Sequence, residues 1–202
     1  EYTLKCAESI KDKAENILAR EPNAVNELME ALVTVGILMS FAGSSRPASG
    51  SEHHLSHLWE MHCMNSPTDA LHGEQVGVST LLVLEKYKSL LDGKISFIPK
   101  RDNICAEYLS PVYGGITEGI IEENTPYPLH GVDGELSPEE ESKIRELIEG
   151  LPSVEFIRDY LKSVGAKTTL SELGLPDSDD FAQKSLEFAP YARRRLTLLK
   201  LI

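Results

Sequence analysis

The sequence is poor in cysteine and in positive charge and reads as lacking a long apolar run, and each shortage argues against a class of protein. Its cysteines, Cys6, Cys63 and Cys105, number 3 and form no CxxC pair. That excludes a disulfide-stapled scaffold and a cysteine-cluster zinc domain, and suits a reducing cytoplasm. Lys and Arg total 20 against 32 Asp and Glu, a formal charge of -12. Such a balance argues against nucleic acid or an anionic membrane surface as the main partner. No apolar run is expected to reach the roughly 20 residues of a membrane span, and no signal peptide is expected from the opening residues. What remains, at 202 residues, is a chain long enough for one sizeable core.

What is present is helical periodicity. Leu4, Ile10, Ala14, Ile17 and Leu18 form an apolar stripe that predicts a helix over residues 3–19. Pro22 suits the first turn of a second helix, over 23–41. Its half from Ala31 to Met39 is apolar nearly all round, so this helix is expected to be central. Gly43 to Gly50 reads as a loop. A helix over 51–64 follows, capped by Ser49 or Ser51, then one over 70–91 capped by Thr68 or Asp69. Residues 92–135, with the β-rich run Lys94 to Ile98, read as an irregular insert or small hairpin and not as helix. Helices are expected again from Ser137-Pro138 to Glu149, from Pro152 to Val164, and from Asp177 or Ser178 into Arg193–Arg195, with one short turn at 170–173. The expected architecture is all-α, a helical bundle over 1–202 interrupted by the insert.

The chemistry concentrates at histidine. His53 and His57 are four apart, so on a helix they stand about 40° apart in azimuth and about 6 Å apart along the axis. His72 follows beyond the break at Asn65 to Asp69. Two imidazoles on one helical face with a third on the next helix is how a bundle builds a metal and substrate site, although lone histidines are more often solvated or packed. His54 is also a neighbour of His57, at three residues. Glu52, Glu74 and Cys63 are close enough in sequence to add a ligand, and His62 with Cys63 is a weak hint of structural zinc. In the loop, Ser44, Ser45, Ser49 and Ser51 bring hydroxyls and backbone N–H groups to a helix start, which suits an anion such as phosphate. Arg46 could add a charge-assisted contact; the plainer alternative is a turn and a cap. Arg193 to Arg195 read as a solvated basic run or a weaker phosphate contact.

The words around these residues carry a resemblance. Gly43-Ser44-Ser45-Arg46-Pro47-Ala48-Ser49-Gly50-Ser51-Glu52-His53, Leu71-His72-Gly73-Glu74-Gln75-Val76-Gly77 and the tail Ala189 to Leu199 resemble the sn-glycerol-1-phosphate dehydrogenase family. That family lies within the superfamily of glycerol dehydrogenase, iron-containing alcohol dehydrogenases and 3-dehydroquinate synthase. The resemblance implies a dehydroquinate synthase-like C-terminal helical domain, in which His53 and His72 bind a divalent metal and His57 faces the substrate, with Ser45 and Arg46 beside it. Glycerol dehydrogenase, with HxxH in this place, would select His54 instead. The metal would be zinc or nickel, with iron a further candidate. The reaction would be reduction of dihydroxyacetone phosphate, a phosphorylated triose, by NAD or NADP in its reduced form. The product is sn-glycerol 1-phosphate, a precursor in phospholipid biosynthesis. The family's nucleotide-binding domain and its Asp ligand precede the segment corresponding to Glu1. The chain therefore reads as the C-terminal, metal-binding half of a cytoplasmic, homo-oligomeric enzyme, inactive by itself. The alternatives are a glycerol dehydrogenase, a 3-dehydroquinate synthase-like enzyme, or a non-catalytic helical scaffold.

Overall fold

The computed structural model describes residues 2–97, 103–128 and 136–202. Among them there is no strand, and the chain is all-α. The residues gather into two compact units, one of 1–50 with 159–166 and the other of 51–158 with 167–202.

In the first unit the expected helix over 3–19 is two. Helix α1 (Tyr2–Ile10) and α2 (Ala14–Leu18) are separated at Lys11 to Lys13. The polar residues there cannot continue the apolar stripe, and Lys13 turns instead to an ion pair with Glu27. Helix α3 (Pro22–Ala42) has Pro22 in its first turn, as the sequence predicts. It ends where Gly43 takes a left-handed conformation, φ 62°, and donates its N–H to the Met39 and Ser40 carbonyls. This is the glycine C-terminal stop.

Helix α3 is not central. It packs on α1 and α2 through a narrow strip that includes Ala24 and Ala31. Leu32, Val33 and Phe41 stay 57%, 56% and 86% exposed. It is also the one helix among the described residues long and apolar enough, by length and composition, to cross a membrane, with mean hydropathy 1.5. The sequence reading had found no such run. The Gly43–Gly50 loop follows as expected.

The second unit holds the larger core. Helix α4 (Ser51–Glu60) lies against α5 (His72–Ser89), and α10 (Asp179–Phe188) packs on both. Leu55, Leu58 and Trp59 of α4 meet Val78 and Val83 of α5 and Phe181 and Phe188 of α10 in one buried cluster. Helix α4 stops earlier than expected, because His62, Met64 and Asn65 all take left-handed backbone angles around a short turn at Cys63–Asn65. The cap of α5 is Leu71, not Thr68 or Asp69. The Thr68 hydroxyl instead accepts the Ala70 N–H and donates to the Leu173 carbonyl.

Part of the expected irregular insert, 92–135, is helical; residues 98–102 and 129–135 lie outside the described residues. Lys94 to Phe97 form no regular structure, and Ile98 lies outside the described residues. Two helices follow, α6 (Ala106–Tyr113) and α7 (Thr117–Glu123). Leu109, Val112, Tyr113 and Ile120 belong to the core. Burial of these four supports helices that Pro111, Gly114 and Gly115 would discourage in isolation.

Helix α8 (Pro138–Glu149) opens with Ser137 and Glu140 capping each other's backbone N–H. Helix α9 (Val154–Ser163) runs as predicted and contains the boundary between the units. Ser178 caps α10 through the Phe181 N–H. Helix α10 ends at Phe188 and not in the arginines, which precede a short α11 (Leu198–Leu201).

Candidate functional site

Helix α4 divides its faces sharply. Ser51, His54, Leu55, Ser56, Leu58 and Trp59 turn inward, and His53, His57 and Glu60 turn outward and are half-buried. Hydrogen bonds to α5 and α10 hold the helix. The Ser79 hydroxyl of α5 donates to the Glu52 carbonyl at 2.8 Å, and the Trp59 indole N–H donates to the Ser185 hydroxyl of α10 at 3.1 Å. Because α5 begins beside the outward face of α4, its first residue, His72, joins the pair.

The three rings form a triangle. Their centroids are 6.4 Å apart for His53 and His57, 5.4 Å for His53 and His72, and 5.7 Å for His57 and His72. Each ring turns Nδ1 toward a carboxylate. His53 meets Glu52 at 2.8 Å, His57 meets Glu60 Oε2 at 2.9 Å, and His72 meets Glu60 Oε1 at 2.5 Å, with the Ser56 hydroxyl farther off at 3.4 Å. Burial is the largest influence on His57 and lowers its pKa against the opposing bond to Glu60. Burial pushes the Glu60 carboxyl up, but the hydrogen bonds from His72 and His57 outweigh it and hold the group below its ordinary range. The consistent state at neutral pH is a neutral His57 donating Nδ1–H to an ionised Glu60.

This donor set fits part of a metal site. Two imidazoles on one tetrahedral zinc, each bound at about 2.0–2.1 Å, have centroids about 5–5.5 Å apart. His53 and His72 have that spacing. A carboxylate on the second ring nitrogen is the usual support of a metal-binding histidine. Among the described residues no group of three or more His, Cys, Asp or Glu side chains is arranged to hold a metal ion. Two imidazoles are thus what the described residues offer.

The other candidates in the second unit part company with the cluster. His54 is 1% exposed, and neither ring nitrogen has a hydrogen-bond partner. Burial first, then the charges of Lys200 and Arg195, lower its pKa to about 3, so the ring is neutral. Glu74 is taken up by the Leu71 N–H and by Lys167. Cys63 is buried in the core, away from the three rings' outward face, and desolvation raises its pKa to about 11. Structural zinc at His62 and Cys63 has no support. Ser45 and Arg46 are exposed on the loop of the first unit.

Sequence reasoning missed Glu60. Its signal was its place three residues after His57, the spacing at which helical side chains meet. It also missed how the tail is held. The Tyr113 hydroxyl, the Asn124 amide and the Lys200 ammonium donate to the carbonyls of Phe188, Tyr191 and Arg193, each at 2.7 Å. Those side chains fix the segment that enters the arginine run, and the turn at Ala189–Tyr191 packs on α4.

No protein-family model matches the chain. Curated proteins do. The chain is 32% identical over 201 residues to the NAD(P)+ glycerol-1-phosphate dehydrogenase of Geobacillus stearothermophilus, covering 98% of this chain and 43% of the relative. It is 32% identical over 189 residues to the enzyme of that name from Halalkalibacterium halodurans, covering 93% of this chain and 40% of the relative. Over 81 residues, 40% of this chain and 20% of the relative, it is 44% identical to that of Methanosarcina barkeri. The chain spans less than half the length of the curated relatives it matches. A likeness that runs along 98% of the chain, over an all-α fold with the three motif histidines together, places this chain in the glycerol-1-phosphate dehydrogenase family.

Proposed function

We propose that this chain is the metal- and substrate-binding part of an NAD(P)-dependent glycerol-1-phosphate dehydrogenase that reduces dihydroxyacetone phosphate to sn-glycerol 1-phosphate. The observation that carries this reading is the triangle of His53, His57 and His72, each backed by a carboxylate on Nδ1.

His53 and His72 would hold the metal through Nε2, with a further ligand from outside this residue set. When bound, a divalent zinc, nickel or iron supplies Lewis acidity toward a carbonyl oxygen. His57 does the positioning. Its Nδ1–H is given to Glu60, so Nε2 carries a lone pair that accepts a hydrogen bond from a substrate hydroxyl and orients the carbon to be reduced. A reduced nicotinamide cofactor would supply the hydride for that carbon, and solvent would supply the proton that completes the alcohol. Ser45 and Arg46 are proposed for the phosphate, on the chemistry of their loop. The NAD(P)+ in the relatives' names supports NAD(P), and three free cysteines suit a cytoplasmic, reducing setting. Assembly as a homo-oligomer belongs to the same reading.

Metal content of the chain and of His53→Ala, His54→Ala and His72→Ala, measured by plasma mass spectrometry, tests it. Zinc or nickel retained in His54→Ala but lost in the other two is the expected result. A second reading, a helical scaffold without chemistry, draws on the lack of a ready-made group of three ligands among the described residues. It would be upheld by absence of metal and of turnover in a longer protein containing this chain.

A further inference from the structure

We infer that Glu60 is a positioning residue that sets two imidazoles at once and so ties His57 to His72; the substrate and metal roles of those rings rest on the proposed function. Glu60 is the last residue of α4, three after His57, and His72 is the first residue of α5. One carboxylate oxygen meets His57 Nδ1 at 2.9 Å and the other meets His72 Nδ1 at 2.5 Å. An ionised carboxylate only accepts, so both rings must donate Nδ1–H, and both must then carry their lone pair at Nε2. The Ser56 hydroxyl at 3.4 Å from His72 Nδ1 can donate or accept and fixes neither form. The two rings lie with centroids 5.7 Å apart and 28° between planes, either side of the shared carboxylate.

A purely structural role has a competing claim. A carboxylate is the wrong sign for the C-terminus of α4 and the right sign for the N-terminus of α5. Gln at this position separates the two ideas. It keeps the shape and one acceptor oxygen but replaces the other with an amide that only donates. One ring can still give Nδ1–H, and the other must present its Nδ1 lone pair and move its proton to Nε2.

The experiment is nitrogen NMR of histidine-labelled, metal-free chain at a pH where the rings are neutral, with signals assigned through His57→Gln and His72→Gln. The native chain is expected to show Nδ1–H on both rings, Glu60→Gln on only one, and Glu60→Ala on neither. Zinc affinity of Glu60→Gln is expected to fall about tenfold to a hundredfold, with helical circular dichroism unchanged. Nδ1–H on both rings in Glu60→Gln would overturn the inference, as would its absence from either ring of the native chain. The tautomer needs no metal, so absence of zinc from a longer protein containing this chain refutes the proposed function while the NMR result still decides on Glu60.

Discussion

His53 and His54 are adjacent in sequence and opposite in circumstance. One ring stands outward in the triangle, and the other is buried with both nitrogens unpartnered. That difference sets a pH dependence. The folded His54 has a pKa of about 3 against an ordinary 6.5. Above pH 6.5 the ring is neutral in both the folded and unfolded chain and contributes no slope. Below 6.5 the unfolded chain takes up a proton that the folded one refuses, so stability falls as the pH drops toward 3. By pH 5 the loss from this residue alone is about 2 kcal/mol. His54→Leu removes that component, and denaturant titrations at pH 7 and pH 5, followed through Trp59, should show a smaller difference for the variant. An unchanged difference would mean that His54 finds a partner in solution. At the same scale, His53→Ala should abolish metal retention while leaving the denaturation midpoint within about 0.5 kcal/mol of native, as expected for a half-exposed side chain.

At the scale of the element, the starts of α3, α8 and α10 were legible because a cap or proline marked them. Ser137-Pro138 and Ser178 open α8 and α10 where their side chains predict. Ser178→Ala should cost about 1 kcal/mol, read as a lowered urea midpoint, because the Phe181 N–H loses its acceptor. Helix ends were less legible. Helix α4 stops at Glu60 because three left-handed residues follow, and two of them, His62 and Met64, carry side chains that advertise no turn. Helices α6 and α7 were read as irregular because local propensity counted Pro111 and Gly114. Their stability comes from Leu109, Val112, Tyr113 and Ile120 entering a core assembled from residues far along the chain. Helix α3 fails in the opposite sense. Its apolar half reads as a core helix, yet only a small-residue strip is covered in its own unit. Phe41→Ser is accordingly expected to shift the thermal midpoint little, and a large drop would show that the side chain is covered in solution.

For the whole molecule, an acidic, cysteine-poor helical chain that matches under half of each relative leads to one expectation about activity. A longer enzyme containing this chain should oxidise NAD(P)H with dihydroxyacetone phosphate, and the chain by itself should not. Turnover by the chain alone in a spectrophotometric assay would refute the second part. Equal rates with dihydroxyacetone and its phosphate would move the assignment toward glycerol dehydrogenase.

Residue types and their spacing by themselves determined the all-α class, the capped helix starts and the histidine motifs. These are local properties, because caps, the 3.6-residue period and an i to i+4 pair are written within a few positions of one another. Tertiary structure alone decided that His53 and not His54 faces His72. It also decided that Glu60 serves two rings, and that α6 and α7 are helices with core residues. Each of these depends on which face of one element meets another distant in sequence, and that is settled by how the whole set of apolar side chains can be buried together.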